Sequence, residues 1–245
     1  MSDRAGDRDR AGDRDQAIAR LLFATHLPFL AMVWAVFAAA VLVLVIGIDL
    51  LGTVTRSVWD PAVSMVRWFA LGYGAYLINR LLPVYVAHGR TRREFLRSVA
   101  LFVVVAAAVV GGLLTIGLAL EAVLYRVMDW PHGVEAERLF HSSGQYPLVF
   151  LSYWAMLVIW TTIGLLLGAG FYRSGGSGLV AVALAVAMVV VTGYGIGFSG
   201  LPFVGAVVDV ADVPLAGTLA LCLAGLLPGA AATWALVRDL PIRNR

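Results

Sequence analysis

Apolar and polar positions along this chain fall into long blocks, not into short alternation. Leu21 to Ile48, Ser98 to Leu120, Pro147 to Tyr172, Ser174 to Val208 and Val213 to Val237 contain no Asp, Glu or Arg. A hydrocarbon core of about 30 Å needs about 20 helical residues to cross it. Without water, every backbone N–H and C=O must be satisfied inside the segment, which a helix does. Each block therefore predicts a membrane-spanning helix. A sixth block, Pro61 to Val86, is long enough but carries Arg67 and Arg80. Arg67 falls near one end, and Arg80 can reach the nearer interface along its aliphatic stem; the alternative is that Arg80, beside Asn79, lines a polar cavity. The expected fold is an all-α integral membrane protein of six transmembrane helices, at about 27–48, 64–86, 98–120, 147–172, 176–199 and 214–237.

The remaining segments are polar. RAGDRD occurs twice in succession at 4 to 9 and 10 to 15, and alternating charge with so little apolar surface cannot form a core. Residues 1–15 are expected to be a disordered tail, 16–240 the membrane domain and 241–245 a short cytoplasmic tail. The start does not read as a signal peptide, because acids interrupt its basic region and the apolar run is too long. AIARLLFATHLPFL then suits either a helix lying in the membrane surface or an extension of the first span.

Composition agrees: 61% of residues are hydrophobic and 13% charged, with a mean hydropathy of +0.88. All 18 basic residues are arginine, and a net charge of +3 is too small an excess to suggest a nucleic-acid partner. Their placement is more informative. Thirteen lie in residues 1–20, the 88–98 loop, Arg173 and the C-terminal Arg238, Arg243 and Arg245, against Arg56, Arg67, Arg126 and Arg138 on the other side. The positive-inside rule then puts both termini in the cytoplasm of a multi-pass protein of the cell membrane. Trp59, Trp68 and Trp130 are expected as interface anchors on the outer side. Cys222 alone makes no disulfide framework.

The most distinctive polar stretch is HGRTRREFLRS at 88 to 98. Thr91 and Glu94 stand in the T-x-x-E order of a capping box, so a helix is expected to restart at Thr91. Gly89 before it can take a backbone conformation closed to other residues, and Pro83 bends or ends the preceding helix. Arg90, Arg93 and Arg97 follow one helical face, and Phe95 is expected on the surface. A charged elbow with one exposed aromatic suits docking in a groove of a cytosolic partner. Binding of anionic lipid headgroups is the competing use.

LPVYVAHGRTRREFLRSVALF, followed one span later by LALE, resembles the loop of the type 2 ABC exporter membrane subunits. In that family an apolar helix with a late proline runs into G-x-T-R-R-x-F and a long span ending in an acid. The matching positions are Pro83, Gly89, Thr91, Arg92, Arg93, Phe95 and Glu121. The resemblance implies a short cytoplasmic coupling helix between helices 2 and 3, with Gly89, Arg90, Thr91, Arg92, Arg93, Glu94, Phe95 and Arg97 binding a cytosolic ATP-binding subunit. That subunit would hold ATP and Mg, and this chain no cofactor of its own. A homodimer, or a heterodimer with a related membrane subunit, is implied as well. In topology the similarity covers residues 16 to 240, including an outer hairpin, GIGFSGLPFVGAVVDVADVP. The chain departs from the common pattern in VAH before the glycine and in the Arg/Asp tail.

Other chemistries fit less well. A P-loop needs a lysine, and the chain has none, so any ATPase activity resides in a partner and the chain itself is expected not to be an enzyme. GFSG at 197 to 200 matches the G-x-S-G of rhomboid-type intramembrane proteases, yet every histidine precedes Ser199, so no base follows from a later helix. His132, Glu135 and His141 share a loop without zinc-site spacing. Gly164 with Gly168 and Gly225 with Gly229 fit G-x-x-x-G, which allows close packing, lines a path or is incidental. Asn79, Arg80, Pro83, Glu121 and Pro228 are the candidates for a translocation path or gate. A secondary transporter is disfavoured, because no Asp or Glu lies deep in a span and Glu121 sits at an outer edge. A non-transporting scaffold or immunity protein that holds a partner through the same loop remains the alternative to the exporter subunit.

Overall fold

The computed structural model describes residues 28–29, 31–48, 50, 57–130, 144–196 and 214–240. Among these the chain is helical, without strands: α1 (Ala31–Ile48), α2 (Trp59–Tyr76), a π-helical turn (Leu77–Leu81), α3 (Leu82–Ala87), α4 (Arg92–Val127), α5 (Tyr146–Arg173), α6 (Gly175–Ile196) and α7 (Leu215–Arg238). Five of them, α1, α4, α5, α6 and α7, are long and apolar enough to cross a membrane. The sixth expected span corresponds to the continuous run from Trp59 through Ala87. The Arg/Asp tail, the 16–27 segment, the loop with His132, Glu135 and His141, the GFSG hairpin and the tail 241–245 lie outside the described residues.

α5 occupies the centre. No residue from Leu148 to Gly170 is exposed, and α2, α4, α6 and α7 all pack against it. A sequence that is apolar all round permits this but does not decide it, since α6 is equally apolar and keeps Leu179, Val180 and Val186 exposed. Close approach depends on absent side chains: a Cβ on Gly164 would strike the Leu71 carbonyl, and one on Gly74 the Thr161 carbonyl. So α2 and α5 meet backbone to backbone. Gly168 continues that contact at Ala75, while Gly225 and Gly229 face Thr192 and Met188 of α6. Both G-x-x-x-G pairs are thus packing surfaces, as expected where dispersion and not hydrophobicity drives association in lipid.

The tryptophans divide. Trp59 is 6% exposed, against the expectation of an interface anchor. Its indole fills the space left by Gly117 of α4 and meets the rings of Trp34 and Phe37 on α1 at 6.3 and 5.6 Å. Trp68 is exposed and edge-on to Trp160 at 4.9 Å. Trp130 is half-buried, its ring 5.5 Å from that of Tyr125.

Pro83 neither ends the second helical run nor breaks it. Proline lacks the N–H and clashes with the carbonyl four residues back. Here the preceding turn widens to the π form over Leu77–Leu81, and Pro83 enters at the start of α3. The run then continues to Ala87.

Candidate functional site

The elbow between α3 and α4 is built from local hydrogen bonds. At the end of α3, the Arg90 amide donates to the Tyr85 carbonyl (3.1 Å) and the Gly89 amide to Val86 (3.0 Å). This is the Schellman arrangement. It requires a left-handed residue after the helix, and Gly89 has φ of 75°. One residue later α4 begins. Thr91 Oγ1 accepts from the Glu94 amide (3.2 Å) and Glu94 Oε2 from the Thr91 amide (3.0 Å), a complete capping box. The restart expected at Thr91 is present. No separate short helix lies between the two runs, because no Gly or Pro follows until Gly111 and the helix propagates from Arg92 into the apolar block.

Two side chains of the elbow face inward. Phe95 is 0% exposed, which corrects the expectation of a surface aromatic. It packs edge-on to Tyr85 with ring centroids 5.4 Å apart, in a cluster with Leu77, Val99, Val237 and Leu240. Arg92 donates from Nη1 to the Arg238 carbonyl (2.8 Å) and from Nη2 to the Leu240 carbonyl (2.6 Å). It caps the C-terminal end of α7, where a cation complements the helix dipole. Arg93 and Arg97 are exposed and Arg90 half-buried, so the outer surface of the elbow is cationic.

The remaining candidates are dispersed. Asn79 and Arg80 sit in the π-helical turn and are exposed, and Asn79 Nδ2 donates to the Ala75 carbonyl (2.9 Å). Pro228 lies within a continuous α7. Glu121 is about 44 Å along α4 from Arg92 at 1.5 Å per residue. It lies six residues from the end of α4 and is buried, at 7% exposed. Its carboxylate accepts from Ser57 Oγ (2.6 Å) and from the amides of Val58 and Trp59 (3.0 Å each), holding the start of α2. Tyr125, one turn further and 0% exposed, hydrogen-bonds the same carboxylate.

Arg67 lies in the first third of the second helical run and is buried there. It lies about 12 Å along α2 from Trp59, is 6% exposed, donates from Nη2 to Ser64 Oγ (2.7 Å) and stands 5.7 Å from the centre of the Trp160 ring. The aromatic face offsets part of the cost of burying a guanidinium. Its only trace in the sequence is the arginine itself in an apolar block. Among the described residues no three His, Cys, Asp or Glu gather as a metal would require.

Compared with protein-family models, with curated proteins and with solved structures, the chain matches none of them.

Proposed function

We propose that the chain is the membrane-spanning subunit of an ABC exporter, with the run 59–87 as its second transmembrane helix and both termini in the cytoplasm. In this reading it moves an unidentified substrate while a separate cytosolic subunit binds ATP and Mg and hydrolyses the nucleotide. Two membrane subunits, identical or related, enclose the path.

One observation carries the reading: the elbow is mechanically tied on both sides. A Schellman turn and a capping box join α3 to α4 through four residues, His88 to Thr91, and Arg92 fastens the same turn to the end of α7. Force applied at Arg93 and Arg97 therefore reaches three membrane helices together. A loop that only sets topology by charge has no use for such bracing.

The test is an Arg93→Glu, Arg97→Glu variant of the full chain. Both side chains are exposed, so insertion and abundance are expected to stay unchanged while co-purification of a cytosolic ATPase is lost. Undiminished co-purification would sink the assignment. A second reading, a scaffold or immunity protein, draws support from the burial of Phe95, which leaves the elbow without an apolar anchor for a moving partner. It predicts partner capture without substrate movement in reconstituted vesicles.

A further inference from the structure

A cleft of about 380 Å³ opens between α1 and the joined faces of α2, α4 and α5. It follows from how α1 is held. Aromatic struts meet at two levels, Phe29 on Phe69 at 6.3 Å and Phe37 on Trp59 at 5.6 Å. Between them α1 lines the cleft with Ala31, Val33 and the larger Trp34, opposite Ala70, Ala106 and Val110, and the short side chains among these leave a slot.

The slot is within the size range of ligand pockets, and its chemistry is narrow. Its lining is aliphatic and aromatic, and the Thr161 hydroxyl is already donated to the Leu157 carbonyl (2.7 Å). Water finds too few partners there. Left empty, the walls forfeit dispersion contacts. A volume of about 380 Å³ holds less than one turn of a helix about 10 Å across with its side chains. Val109 of the lining is itself exposed, and so are Met32 and Val36 on α1 and Val105 on α4, neighbours in sequence of lining residues, on two helices of membrane-spanning length. Hydrocarbon chains are the medium on that side.

Charge identifies the other end of the occupant. Phe69, Tyr73, Tyr76 and Arg80 are spaced by four, three and four residues, so they form one strip of the second helical run. Phe69 stacks on Tyr73 and Tyr73 on Tyr76, with centroids 6.1 Å apart in each pair. Tyr73 lines the slot, whereas Tyr76 and Arg80 are exposed. Arg80 lies about 10 Å beyond Tyr73, enough to cross an interfacial layer of roughly 5–7 Å. We propose that the slot holds one acyl chain of an anionic phospholipid from the leaflet nearer the elbow, its phosphate resting at Arg80. This stands whether or not the chain is an exporter subunit.

The full chain is reconstituted in nanodiscs with phosphatidylglycerol carrying a photoactivatable group mid-way along one acyl chain, and crosslinks are mapped by mass spectrometry. Crosslinks are expected to concentrate at Phe69, Ala106 and Val110, and to fall several-fold in Ala106→Phe or, should that variant fail to insert, in Val110→Phe. Arg80→Gln is expected to keep the tail crosslink while losing the preference for phosphatidylglycerol over phosphatidylcholine with the same tail. Crosslinks spread evenly over the exposed helix faces and unchanged by slot filling would overturn the tail site. Phosphatidylcholine carries the same phosphate beside a cation, so equal yields from the two lipids in the unaltered protein would overturn the choice of an anionic lipid held by its charge at Arg80. Capture of the chain's own first 27 residues by a photoreactive side chain at position 106 would show a different occupant and overturn both.

Discussion

Glu121 receives the Ser57 hydroxyl, the Val58 and Trp59 amides and the Tyr125 hydroxyl on a single carboxylate. It acts as a helix cap supplied from another helix, and an acid there also complements the positive end of the α2 dipole. Removing it leaves several buried donors unmatched, each costing about 1–3 kcal/mol. Glu121→Ala is therefore expected to lower stability by about 3 kcal/mol, and Glu121→Gln, which keeps one acceptor oxygen, by less than half of that. Unfolding midpoints in detergent would show it; equal midpoints for Ala and the parent would remove the carboxylate from the α2 start. Phe95 makes a similar case in apolar form. Truncating a fully buried ring costs about 3–5 kcal/mol, so Phe95→Ala is expected to reduce folded yield, unlike the exposed neighbours Arg93 and Arg97.

At the scale of elements, crossings are set by where a side chain is missing. A Cβ at Gly164 overlaps the Leu71 carbonyl, whereas one at Gly72, on another side of α2, meets nothing within 4 Å. Forcing matter into a packed contact costs about 1–3 kcal/mol. Gly164→Ala is expected to lower the thermal midpoint, and Gly72→Ala to leave it unchanged or raise it slightly through helix propensity. Equal behaviour of the two would mean that α2 and α5 do not touch there. The same logic explains the π-helical turn: Pro83 was legible as a disturbance, but whether it ends, kinks or widens a helix depends on what packs around it. Here Leu77, Ile78 and Leu82 are all buried, and widening keeps them in the core.

For the whole molecule, orientation is the property that sequence charge predicts and helices alone do not display. A reporter active only in the cytoplasm is expected to work when fused after Arg245 and to fail when inserted at Gly133. The reverse pattern would put the elbow outside, beyond reach of any nucleotide-hydrolysing partner. The tie from Arg92 to the Arg238 and Leu240 carbonyls adds a constraint: the elbow and the end of α7 share one side.

Helix positions and the elbow's stop and restart were readable in advance, because they depend on composition and on partners a few residues apart; the G-x-x-x-G pairs were legible as candidates, whereas Gly74 and Gly117, which meet Thr161 and Trp59, were not. Thr91 and Glu94 are three residues apart, and Gly89 closes a turn only five residues deep. Decided only in three dimensions were the burial of Phe95, Trp59 and Arg67, the grip of Arg92 on α7 and that of Glu121 on α2, contacts spanning 62 to 148 positions. The physical reason lies in the solvent. In water an apolar stripe tells which helix face turns inward, but lipid is as apolar as the core. A chain built of uniformly greasy helices therefore fixes each helix's rotation by packing, and that rotation settles which arginine is spent inside and which is left exposed.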